Sequence, residues 1–202
     1  LVINQAHDLI LCDTKDGTPN WKQLGQGTLL FPPLIQNGII VACFAKDKVP
    51  SQAQIIAYDI KTGNELWSFK NNSSALSIAA PPTSSGDLLF APIQLKLQEE
   101  EKALPVLAAF DLRNGKLLWQ YDSPFSFHNM PRPFSTQHVV IIQSHHENTL
   151  ILLDTLTGEP VPIIGELHNH IHSQNIYFVS LFENHILIAS QDAESLKIES
   201  YR

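Results

Sequence analysis

The chain has little of what marks a membrane span, a nucleic-acid surface or a helical array. No run of about 18 consecutive apolar residues occurs, so no segment reads as a membrane-spanning helix. Lysine and arginine number 13 against 20 aspartates and glutamates, giving a formal net charge of −7 with no basic cluster. That argues against nucleic-acid binding, which calls for a basic face to neutralise phosphates. Only two cysteines, Cys12 and Cys43, are present. Both fall in apolar segments, where single cysteines behave as small buried hydrophobes; a disulfide between them is left open, and two cysteines do not fix the redox compartment. Sustained apolar spacing at 3.6 residues is missing, which rejects armadillo-like helical repeats. A nucleophile elbow is missing too, and Gly25-Gln26-Gly27 lacks the helix start and downstream Lys-Ser/Thr of a phosphate loop. With 202 residues, 44% of them hydrophobic and 16% charged, the chain has the means to bury a core.

What the chain does contain is a repeat. Ala57, Asp59, Gly63 and Trp67 recur at the same spacing as Ala109, Asp111, Gly115 and Trp119. A partial copy keeps Asp13, Gly17 and Trp21, and another keeps Asp154 and Gly158 but has Pro162 in place of tryptophan. The aspartates are 46, 52 and 43 residues apart, a period that suits a four-stranded propeller blade. A second ladder runs in phase. Pro32-Pro33, Pro81-Pro82 and Pro131-Arg132-Pro133 each precede a short turn and a strongly apolar strand, and the last unit keeps the rhythm without prolines at Val179-Ser180. Each unit reads as an inner strand reaching the proline site, a tight turn, an apolar strand, a variable hairpin, a third strand ending at the aspartate, and a glycine turn into the tryptophan strand. Glycine suits that turn because a positive φ is costly for other residues.

These residues resemble the tryptophan-docking repeat of the quinoprotein-like (pyrroloquinoline quinone-like repeat) β-propellers. That group contains quinone-dependent alcohol dehydrogenases and the outer-membrane assembly lipoprotein of the bacterial β-barrel machinery. The resemblance covers nearly the whole chain and implies an all-β propeller of four-stranded antiparallel blades. It also implies that Trp21, Trp67 and Trp119 dock on the turns of Gly63, Gly115 and Gly158 in the next blade. The phase gives four to five blade units in a single repeat domain over 1–202, with partial blades at 1–24 and 165–202 and blades at about 25–70, 71–122 and 123–164. The expectation is a segment of a larger propeller, a compact ring closed by its two partial end blades being the alternative.

Candidate chemistry is sparse. Glu166, His168, His170 and His172 alternate, so an extended strand would put them on one face. Imidazoles so placed suit zinc or a similar transition metal, and a two-histidine site completed from elsewhere is geometrically easier than three ligands from one strand. A polar connector is the competing reading. His145-His146-Glu147 reads as turn, and His128 as a residue approaching the central channel. For a quinone dehydrogenase the resemblance would imply calcium, a catalytic aspartate and a neighbouring cysteine pair; no Cys-Cys pair exists, and Asp13, Asp59, Asp111 and Asp154 belong to the repeat turns. Quinone and calcium are therefore disfavoured, with a dehydrogenase fragment, or a binding domain of a larger enzyme, kept as the alternative. The leading expectation is a noncatalytic scaffold that binds a protein through hairpins of unequal length. Those hairpins carry Lys46 and Lys48 in one unit, Gln98, Glu99 and Glu100 in the next, and Ser144 to Asn148 in the third. By resemblance, the bacterial periplasm or envelope is the favoured compartment.

Overall fold

The computed structural model describes residues 2–5, 8–25, 27–46, 52–70, 75–96, 104–123, 132–144, 149–162, 175–182, 185–191 and 196–201. Every extended regular element among them is a β-strand, and all named strand pairs are antiparallel. Five sheets follow one another along the chain. The first holds β1 (Val2–Gln5), β2 (Asp8–Cys12) and β3 (Pro19–Gln23). The second holds β4 (Thr28–Leu29), β5 (Leu34–Gln36), β6 (Ile39–Ala45), β7 (Ala53–Asp59) and β8 (Glu65–Lys70). The third repeats that plan with β9 (Ala75–Ile78), β10 (Thr83–Ser85), β11 (Leu88–Lys96), β12 (Leu104–Asp111) and β13 (Leu117–Asp122). The fourth is β14 (Phe134–Ser135), β15 (Val139–Ser144) and β16 (Thr149–Asp154); the fifth is β17 (Asn175–Phe182), β18 (His185–Gln191) and β19 (Leu196–Tyr201).

The innermost strand differs from the sequence-based expectation. It continues past the prolines instead of ending at them. Both β4 and β5 pair with β6, and both β9 and β10 pair with β11, so Pro32-Pro33 and Pro81-Pro82 interrupt one strand position and leave it in two pieces. The physical reason is that proline has no N–H to give to the ladder and is tolerated only at such breaks. In the fifth sheet, which has no proline there, β17 pairs with β18 from Asn175 to Phe182 across a single irregularity.

β6, β11 and β15 each lie between two pairing partners, and described residues on both of their faces are buried. All seven residues of β6 are buried. Apolar side chains fill the wedges between successive sheets. Leu9 and Leu11 pack with Ile40, Ala42, Phe44, Ile56 and Tyr58 between the first and second. Val41, Cys43, Ile55 and Ala57 meet Leu89, Ala91, Val106 and Phe110 between the second and third. Phe90, Leu107 and Ala109 meet Val140, Ile142 and Leu153 between the third and fourth. Alternation along each strand thus sends successive residues to different neighbours, as the pleat requires. Cys12 and Cys43 are both buried, form no disulfide, and lie in different sheets. Burial pushes the Cys43 thiol up to about 12, which leaves it protonated and unreactive at neutral pH.

Candidate functional site

The repeat aspartate organises its turn through one carboxylate oxygen. Asp59 Oδ1 accepts the N–H groups of Lys61 (3.0 Å) and Thr62 (2.7 Å) and the Thr62 hydroxyl (3.0 Å). Arg113 N and Asn114 N donate in the same way to Asp111 Oδ1, and Leu156 N and Thr157 N to Asp154 Oδ1. The aspartate carbonyl then accepts the glycine N–H, at 2.8 Å from Gly63, 2.8 Å from Gly115 and 2.9 Å from Gly158. A further polar residue, three places after the aspartate, extends the device. Asp16, Thr62, Asn114 and Thr157 each accept the N–H two residues on, from Thr18, Asn64, Lys116 and Glu159. Asp-x-x-(Thr/Asn/Asp)-Gly was there to be read in the sequence, and this fourth position is the one that motif reading overlooked.

Hydrogen bonding to the ionised form lowers a carboxyl's pKa. Asp59 is held below the usual carboxylate range chiefly by the Thr62 N–H, then by the Thr62 hydroxyl and by the Lys61 N–H and charge. Asp154 is lowered by the N–H groups of Thr157 and Leu156, with smaller help from the Thr157 hydroxyl and the charge of His138. Asp16 is lowered by the Thr18 N–H and hydroxyl.

Three of these turns, those of Gly63, Gly115 and Gly158, receive the tryptophan of the preceding sheet. The indole Nε1 of Trp21 donates to Ile60 O (2.8 Å), that of Trp67 to Leu112 O (2.8 Å) and that of Trp119 to Thr155 O (3.0 Å). The accepting carbonyl always belongs to the residue after the aspartate. The ring lies on the glycine so closely that a Cβ on Gly63, Gly115 or Gly158 would stand 2.5–2.6 Å from the indole Cδ2. All three glycines have φ between +71° and +74°. A bulge aims the ring. In each of the first three sheets the register shifts at the same place, leaving Asn20, Leu66 or Leu118 opposite no single partner. Such a bulge increases local twist and redirects the side chain that follows it, here the tryptophan. Burial is uneven: Trp67 is 8% exposed, whereas Trp21 and Trp119 are only partly buried. Smaller ties supplement the docks. Gln23 Nε2 reaches Gly63 O (2.6 Å), and Asn37 Nδ2 reaches Gly86 O (2.9 Å) and Asp87 Oδ1 (3.1 Å). Asp87 also pairs with Arg113 at 3.0 Å, and that guanidinium is the first cause of its lowered pKa.

The same bonds separate two faces. Ile60 N donates to Gly38 O, Leu112 N to Asp87 O and Thr155 N to His138 O, so the turns between first and second strands lie beside the Asp-Gly turns on one face. Antiparallel order puts the C-terminal ends of β6, β11 and β15 and the starts of β7, β12 and β16 at the opposite face. Lys46, immediately after β6, is exposed, and its N–H donates to Gln52 O at 3.0 Å. Lys48, Gln98, Glu99 and Glu100 lie outside the described residues, as do His168, His170 and His172. In the fourth sheet the position of an outer strand is marked by a Leu153–Pro160 bridge and the Val161 N to Leu152 O bond (2.7 Å); Pro162, which has no indole, occupies the tryptophan position.

A family model described as outer membrane protein assembly factor BamB matches residues 1–197. The chain belongs to this family. A curated BamB of Burkholderia pseudomallei is 28% identical over 116 residues, an alignment covering 55% of this chain and 26% of that protein. The crystal structure of BamB from Moraxella catarrhalis superposes with a TM-score of 0.60 at 19% identity, covering 94% of this chain and 57% of that one. A quinohemoprotein alcohol dehydrogenase from Pseudomonas putida HK5 matches with a TM-score of 0.57 at 13% identity, over 91% of this chain and 36% of that one. At these identities the likenesses establish a shared propeller fold, which is all-β and blade-built, and the chain spans little more than half of the Moraxella protein or less of the other relatives. Because the fold serves assembly factor and dehydrogenase alike, chemistry has to be judged on residues. Among the described residues no group of three or more metal-ligating side chains gathers, and the carboxylates of Asp59, Asp111 and Asp154 are engaged by backbone N–H groups of their own turns.

Proposed function

We propose that this chain is part of a noncatalytic propeller scaffold in bacterial outer-membrane assembly, located in the periplasm or envelope, that recognises a protein partner with its variable hairpins. The match of the assembly-factor family across residues 1–197 is the observation that carries this reading. The two faces support it. One is occupied by turns whose polar groups hold the turns themselves and the neighbouring blades, while strands at the other end are joined by connections whose lengths the core does not dictate. The proposed binding residues are Lys46, Lys48, Gln98, Glu99 and Glu100, and the proposed partner is a protein rather than a nucleic acid. Blades at about 25–70, 71–122 and 123–164, with partial ones at 1–24 and 165–202, would form one stretch of a longer ring.

Capture of partners from a native envelope extract by the immobilised chain tests the proposal. Specific retention of assembly-machinery proteins is the expected result. Stoichiometric retention of pyrroloquinoline quinone in equilibrium dialysis, together with dye-linked alcohol oxidation, would instead establish the dehydrogenase alternative.

A further inference from the structure

We draw no further inference here: the strongest candidate, the exposed leucines Leu66, Leu117 and Leu118 on the outer strands β8 and β13, is an apolar surface for which nothing in the structure shows what covers it.

Discussion

Gly115→Ala separates the contribution of a dock from that of an ordinary turn. At φ +71° any L-residue with a Cβ is strained by about 1–2 kcal/mol. The new methyl would also stand 2.5 Å from Trp67 Cδ2 and 2.7 Å from Cε3, so the ring has to move. Displacing it puts at risk the Nε1 bond to Leu112 O, worth about 0.5–1.5 kcal/mol net, and adds an overpacking cost of about 1–3 kcal/mol. The expected total is about 4 kcal/mol. Gly17 supplies the control, since it holds the same repeat position at φ +75° with nothing within 4 Å of its would-be Cβ. Gly17→Ala should therefore show only the backbone strain of about 1–2 kcal/mol. Urea unfolding followed by tryptophan fluorescence reads both variants, and all three tryptophans of the chain are docked indoles. In a Trp67→Ala background the cost of Gly115→Ala should fall to the Gly17 value, as a cycle between contacting residues requires. Equal costs for the two glycines in the parent chain would refute the argument.

The other expectations concern single side chains. Trp67→Ala should destabilise by about 3–5 kcal/mol, as for a large buried aromatic, and Trp119→Ala by less, because Trp119 is only partly buried; denaturant midpoints decide the order. Tyr58 is 1% exposed, its hydroxyl has no hydrogen-bond partner among the described residues, and Phe110 fills the matching position in the next sheet. Tyr58→Phe should hence stabilise the chain by about 1 kcal/mol, the low end of the penalty for a buried unsatisfied group, as an upward shift in urea midpoint. The lowered pKa values of Asp16, Asp59 and Asp154 contribute stability that is fully present above the unfolded carboxyl value of about 4 and is lost as pH falls through the folded values. Asp59→Asn retains an acceptor oxygen for Lys61 and Thr62, so it should flatten the fall of stability below about pH 4 without unfolding the chain at pH 7; an unchanged slope would count against the linkage. Calorimetry with zinc on the chain and on His170→Ala tests the histidine run, where loss of uptake in the variant would support ligation by His168, His170 and His172 and equal uptake would return the segment to a polar connector.

The fold is legible in the sequence because its determinants are side chains at fixed offsets. Asp59 needs its side-chain acceptor oxygen, Gly63 its missing Cβ and Trp67 its ring, so the pattern survives comparison of one repeat with the next. What lies in the backbone is not legible. The indole acceptors are the carbonyls of Ile60, Leu112 and Thr155, three different residue types, since any residue can supply a carbonyl. The bulged position is leucine in two repeats, Leu66 and Leu118, but Asn20 in the first, so it carries no residue type shared by all three. Splitting of the innermost strand is signalled by the prolines, yet the same prolines read equally well as a strand end. The proposed binding face is the least legible part. Hairpin length can vary without disturbing the core, so the repeat pattern does not constrain Lys46 or Glu99, and their proposed role rests on what they would meet.

The central claim, recognition by the variable hairpins, is tested most directly by comparing the intact chain with one in which Gln98 to Lys102 is replaced by a short glycine-containing turn. Stability should be retained, because loop length changes closure entropy only slowly. Partner capture from native envelope extract should weaken in the shortened chain. Identical partners retained in identical amounts would contradict the assignment of this hairpin, and a reproducible hydrolytic or redox activity of the intact chain would contradict the scaffold reading itself.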